Sequence, residues 1–175
     1  LESFLADPPP GISDLRIGLL CNPASVTADF NHAGLSIHRT LPGCLTAMFS
    51  PQHGFYSDKQ DNMIESGDMV DPFTRVPVFS LYGETRRPTK QMFDSIDVLL
   101  VDLQDVGTRV YTFIYTMAYC LEAAAEFGKV DEFILVEGLD HLEDFRPRGG
   151  RGEPDLGGMQ PDVLASLLLG GDVRA

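Results

Sequence analysis

The feature that most constrains this chain is a series of short, unbroken apolar runs, each closed by turn-forming or polar residues. Arg16-Ile17-Gly18-Leu19-Leu20 stops at Asn22-Pro23, and Leu45-Thr46-Ala47-Met48-Phe49 stops at Ser50-Pro51. Val76-Pro77-Val78-Phe79-Ser80-Leu81 ends at Tyr82-Gly83, and Asp97-Val98-Leu99-Leu100-Val101 enters Asp102-Leu103-Gln104-Asp105. Phe133-Ile134-Leu135-Val136 is a fifth run. Runs of this length read as strands, and continuous rather than alternating apolar character implies a sheet covered on both faces. Helical stretches are expected at Thr89 to Asp94 and, with Gly128 as its stop, at Tyr111 to Phe127. Alternation of strand and helix predicts an α/β fold with a mostly parallel sheet. Residues 50 to 75 read as a long polar loop, a length that usually carries function. From Gly138 onward the chain is rich in Gly, Arg, Asp and Pro and reads as irregular, apart from a short helical stretch at Pro161 to Leu169. The expected division is therefore a folded domain over 12–137 and an irregular tail over 138–175.

Composition narrows the function classes. Of 175 residues 43% are apolar and 22% charged, ordinary values for one globular core. The net charge of −13 opposes binding to a phosphate backbone, so a nucleic-acid partner is not expected. The same field opposes any acidic ligand, which would need local donors such as Arg109 or His53. Cys21, Cys44 and Cys120 are odd in number and lie in no CxxC pair, so buried free thiols are expected rather than a disulfide framework or zinc site. No stretch reaches the roughly 18 to 20 apolar residues of a membrane span. The opening LESFLADPPPG has no initiator Met and no signal-peptide pattern, which leaves periplasmic, secreted and cytoplasmic locations equally open.

In open parallel sheets ligands bind beyond the carboxyl ends of the strands. That rule selects Asn22; Gln52 and His53; Tyr82, Glu84 and Arg86; and Asp102, Gln104 and Asp105, a polar set suited to sugar hydroxyls. Each could instead serve only turn chemistry. His53 could be a hydrogen-bonded core histidine, Arg109 a structural partner of Asp105 four residues earlier, and Tyr111 and Tyr115 helix packing. GxGxxG and GxxxxGK[ST] are both absent, which disfavours a nucleotide cofactor and makes a flavodoxin-like nucleotide domain the weakest of the readings. There is no HExxH and no GxSxG, and Asp102, Asp105 and His53 are too ordinary a set to specify a cation. No cofactor is expected.

The blocks RIGLLCNPASV, FSPQHGFYSDKQDNMIESGD, VPVFSLYGETRRPT and DVLLVDLQDVGTRVYTFIYTMAYCLEAAAEFGK resemble successive segments of the bacterial exo-β-N-acetylmuramidase family, over roughly residues 15 to 129. The resemblance implies a Rossmann-like N-terminal domain, a smaller C-terminal domain and a cleft at their junction that releases non-reducing-end N-acetylmuramic acid from peptidoglycan fragments. Glycoside hydrolysis of this kind calls for a carboxylic acid that protonates the leaving oxygen. Two departures stand out. The family commonly has Glu before His-Gly in the loop after the second strand, whereas this chain has Gln52, which cannot donate a proton as a general acid. Glu65 is the expected replacement, followed by Asp102 and Glu84, with His53 near the scissile bond. Asn22, Gln52, Ser66, Tyr82, Glu84, Gln104, Asp105, Arg109 and Tyr111 are expected to shape the sugar site. The second departure is the tail after Gly138, which reads as a truncated or misread frame without the family's C-terminal domain, the expected intramolecular partner. The rival is a catalytically impaired sugar-binding remnant of the enzyme.

Overall fold

In the computed structural model the described residues are 1–56, 64–105, 112–128 and 133–139. They form a sheet of six strands: β1 (Ile17–Cys21), β2 (Leu45–Ser50), β3 (Met69–Val70), β4 (Pro77–Ser80), β5 (Val98–Asp105) and β6 (Phe133–Leu139). The spatial order is β3-β4-β2-β1-β5-β6, parallel throughout except for β3, which pairs antiparallel with β4 at the edge. This is a Rossmann-like α/β sheet, as the apolar runs predict.

Each face of the sheet carries its own core, and the helices explain why. On one face α1 (Glu2–Ala6) and α2 (Ala33–Thr40) bring Phe4 and Ile37 against Ile17, Leu19, Met48, Val78 and Leu100. On the other, α3 (Lys90–Phe93) and α4 (Phe113–Glu126) bring Phe93, Met117, Cys120 and Leu121 against Leu20, Phe49, Leu99 and Val101. Adjacent strand residues thus feed opposite cores, and every residue of β1 is buried. Full burial of each such Leu or Phe stabilises the fold by about 1.5–3 kcal/mol. All three cysteines are buried and unpaired. Burial pushes the Cys21 and Cys120 thiols up, so both remain protonated and unreactive at neutral pH.

Several boundaries differ from expectation. Helix α2 was not anticipated: it has only eight residues, and its N-cap is His32, whose side chain accepts from the Gly34 amide, instead of one of the usual capping residues. The long loop after β2 contains the two-residue β3, too short to give an alternation signal. The third apolar run is a strand only over Pro77–Ser80. The long helix begins at Phe113. Leu1 and Phe4 are buried in the core, so the packed unit extends ahead of residue 12. Strand β6 continues through Leu139, and the tail over 140–175 lies outside the described residues.

Gly18 in β1 allows a close approach from core side chains on the segment after α3 and on β2. A Cβ there would lie 2.8 Å from Ile96 Cδ1 and 3.1 Å from Phe49 Cε2. Gly18→Val is therefore expected to lower unfolding free energy by about 1–3 kcal/mol through overpacking. Urea denaturation followed by circular dichroism checks this, and an unchanged midpoint would refute the close packing.

Candidate functional site

The chain leaves β1 for β2 and β4 on one side, then returns to β5 on the other. Strand order thus reverses between β1 and β5, the position at which open α/β sheets bind their ligands. Asn22 follows β1 and is 2% exposed, while Asp102, opposite Cys21 on β5, is 1% exposed. Between Val101 and Asp102 the pairing of β5 with β6 shifts register, an irregularity of the kind that re-aims side chains beside functional sites.

The structure brings together three of the expected residues at this reversal. Asn22 Nδ2 donates to the Gln104 carbonyl at 2.8 Å, and Gln104 Nε2 donates to Asp102 Oδ1 at 2.9 Å. Ser25, which sequence reasoning passed over, ties the group to β1: the Asn22 amide donates to its hydroxyl at 3.0 Å, and that hydroxyl donates to the Asp102 carbonyl at 2.5 Å. The signal for Ser25 was its position three residues after Asn22 in Asn-Pro-Ala-Ser, the spacing of a side-chain-stabilised turn.

A second group lies at the ends of β2 and β4. Ser66 donates its amide to the Tyr82 carbonyl at 3.0 Å, and its hydroxyl is 2.8 Å from that of Ser80. Asp68 Oδ1 accepts from the Ser80 amide at 2.8 Å. Gly83 makes the approach of this loop feasible, since a Cβ there would lie 2.4 Å from the Ser66 carbonyl oxygen. The resulting cleft, about 240 Å³, is lined by Ser50, Ser66, Ser80 and Gly54 together with Phe55 and Tyr56. A more apolar recess of about 330 Å³ lies on the other side of Phe55 and Tyr56, beside His32, Met48 and Phe73.

The loop after β2 carries local strain. His53 has φ 81° and Gly54 φ 77°, so two consecutive residues are left-handed. A non-glycine residue in that region costs on the order of 1–3 kcal/mol, a cost that recurs at functional sites. Gln52 is nearly buried, and Thr112 donates its hydroxyl to Gln52 Oε1 at 3.0 Å. Thr112 was not anticipated, because nothing local to it signals a partner sixty positions away.

The remaining expected residues are more dispersed. Glu65 and Glu84 are both exposed, on the two segments joined by the Ser66–Tyr82 bond. Tyr82 is buried, and Asp105 is placed by its backbone in β5 opposite Leu139. Arg109 and Tyr111 lie outside the described residues. Among the described residues no group of three or more His, Cys, Asp and Glu side chains could hold a metal ion, and no helix is long and apolar enough to cross a membrane.

Two titrating groups stiffen the wall between cleft and recess. Burial pushes the His32 imidazole below its ordinary value, against the opposing influence of the Asn22 carbonyl and the Asp102 and Asp71 carboxylates. Its Nδ1 accepts from Gly34, so Nε2 carries the proton and donates to the Asn22 carbonyl at 3.2 Å. Burial would raise Asp71, but the Thr74 hydroxyl and amide and the Tyr56 phenol all donate to its carboxylate, and together they hold it below the ordinary range.

Both depressed values make folding proton-releasing, so stability is complete above the unfolded-state pKa and is lost as pH falls. The His32 contribution is expected to fade below about pH 6.5, and that of Asp71 below about pH 3.9. His32→Asn, which preserves the helix cap, should flatten the first part of the acid stability profile. Asp71→Asn should flatten the second while lowering stability at neutral pH. Urea midpoints measured from pH 7 to pH 3 check both, and profiles parallel to wild type would refute them.

Comparison with known proteins agrees with this fold. Residues 17–150 match the family model described as exo-β-N-acetylmuramidase NamZ, N-terminal. Over 128 residues the chain is 44% identical to the peptidoglycan β-N-acetylmuramidase NamZ of Bacillus subtilis (strain 168), covering 73% of this chain and 31% of that protein. The chain thus spans about a third of the length of that curated relative. Crystal structures of two DUF1343 family proteins from Bacteroides fragilis are similar, each with TM-score 0.58. One is 40% identical, covering 70% of this chain and 29% of its own; the other is 28% identical, covering 77% and 33%.

Proposed function

The chain belongs to the NamZ exo-β-N-acetylmuramidase family, matching its N-terminal part, and from that premise we propose that it supplies the sugar-binding and catalytic wall of a glycosidase removing non-reducing-end N-acetylmuramic acid from peptidoglycan fragments. The observation that carries this reading is the polar cluster at the reversal of strand order, where Asn22, Asp102 and Gln104 are locked together. That cluster fixes the same carboxyl edge of the sheet that carries the serine-lined cleft, whose hydroxyls are held in place for a polar ring. The second wall of the cleft would come from a C-terminal domain like the one the family resemblance implies.

In this reading Glu65 is the general acid. It is exposed on the segment pinned by Ser66 to Tyr82, beside the serine-lined cleft, where it can meet a leaving oxygen. His53 stands near the scissile bond on a strained loop, and Asp102 acts from the floor. Ser66, Tyr82, Glu84, Asp105, Arg109 and Tyr111 contribute to holding the sugar, and Gln52 positions its acetamido or hydroxyl groups.

One observation favours a second reading. Gln52 stands where the family commonly has Glu, and its amide oxygen is engaged by Thr112, so this position supplies no acid. A sugar-binding remnant with impaired catalysis would look the same in this loop.

Hydrolysis of a chromogenic β-N-acetylmuramide, measured beside binding of N-acetylmuramic acid by NMR titration, separates the two. Under the first reading the chain turns substrate over, and Glu65→Gln lowers the rate by about 10²–10⁴-fold while binding stays within twofold. Full activity in Glu65→Gln would remove Glu65 from the acid role, and binding without turnover in wild type would select the remnant.

A further inference from the structure

Two adjacent arginines after β4 are directed to different ends by one turn. The Thr85 hydroxyl accepts from the Arg87 amide at 3.1 Å and donates to the Arg87 carbonyl at 2.6 Å, which closes a tight loop around position 86. Arg87 is drawn to α4, where it pairs with Glu122 at 3.1 Å and Glu126 at 3.7 Å. Arg86 instead lays its guanidinium over the ring of buried Tyr82, 3.6 Å from the centroid.

That stacking leaves a particular chemistry on offer. It engages the flat face of the guanidinium and holds the group still, while the five N–H donors lie in its plane and point past the ring edge. Among the described residues no carboxylate pairs with Arg86. Tyr82 is the residue whose carbonyl receives the Ser66 amide, so the stacked cation belongs to the segment that borders the serine-lined cleft. In a chain of net charge −13, an arginine held in this way at the carboxyl edge is a local exception to the surrounding field.

We propose that Arg86, clamped on Tyr82, is the specificity residue that receives the carboxylate of the sugar's acidic ether substituent and so distinguishes N-acetylmuramic acid from N-acetylglucosamine, which lacks it. The inference rests on the glycosidase reading of the cleft and adds which residue reads the acidic group. A guanidinium fork matches a carboxylate in two parallel hydrogen bonds, and a pre-positioned fork loses little entropy in making them. Selectivity then comes from one local contact, even though the overall charge disfavours acids.

The test is NMR titration of the 175-residue chain and its Arg86→Gln, Arg86→Lys and Arg109→Gln variants. The ligands are N-acetylmuramic acid, its methyl ester and N-acetylglucosamine, at low and high salt. Wild type is expected to bind the free acid about tenfold more tightly than the ester or N-acetylglucosamine, a preference that narrows with salt. Arg86→Gln should abolish that preference while leaving the two uncharged ligands unaffected, and Arg86→Lys should restore it in part. If Arg86→Gln keeps the preference, or only Arg109→Gln loses it, the assignment to Arg86 is overturned while the cleft reading stands. If wild type binds none of the three, both fall together.

Discussion

The structure depends on β1 being hydrogen-bonded to parallel partners on both sides while buried on both faces. A strand in that position has no solvent-facing residue, so Ile17–Cys21 must alternate between two cores rather than between core and water. Leu19 serves the layer of α1 and α2, and Leu20 serves the layer of α3 and α4. Gly18 gives up its side chain so that Ile96 and Phe49 can close over the backbone. The same strand separates the two halves of the sheet, and its carboxyl end is therefore where strand order reverses. Burial that secures the fold and the polar cluster at the carboxyl edge have one origin, the central place of β1.

That origin explains what could be read from the sequence. Strands buried on both faces write themselves as continuous apolar runs, so β1, β2, β4, β5 and β6 were all legible, and the polar residues after each run marked the carboxyl edge. Asn22, Asp102 and Gln104 followed from that rule, and the structure joins them. What escaped is of a different kind. Helix α2 owes its start to a histidine cap and its stability to packing, neither of which is a periodic signal. Strand β3 exists only because two residues of a polar loop meet β4. Thr112 opposite Gln52 is a tertiary pairing, fixed by the fold and not by neighbours in the chain, and so is the bond from Ser25 to the Asp102 carbonyl, although Ser25 also bonds Asn22 locally.

The candidate site divides in the same way. Its floor is made of side chains that have satisfied one another: Asn22 spends its amide on Gln104 and on the Ala24 amide, and Gln104 spends its own on Asp102. Groups bound in this way cost little to organise when a ligand arrives, because their desolvation and ordering were completed on folding. The groups on the surrounding loops are of another sort. Glu65 and Glu84 are exposed, and His53 holds a left-handed backbone. A rigid floor carrying adaptable loops is the arrangement that lets a scaffold stay stable while its reactive groups remain accessible.

Electrostatics gives that division a consequence. With 26 acidic and 13 basic residues the chain repels anions at long range, so an acidic sugar gains nothing from steering and must be recognised after contact. Recognition at contact range requires donors whose geometry is already set, because each side chain frozen on binding costs about 0.5–1.5 kcal/mol. Buried rings and short turns at the strand ends are how this fold can set such donors in advance. Stacking on Tyr82 fixes a guanidinium without neutralising it, whereas an ion pair like that of Arg87 with Glu122 would fix and neutralise it together. An acidic protein can therefore keep selectivity for an acidic ligand when its useful cations rest on aromatic faces.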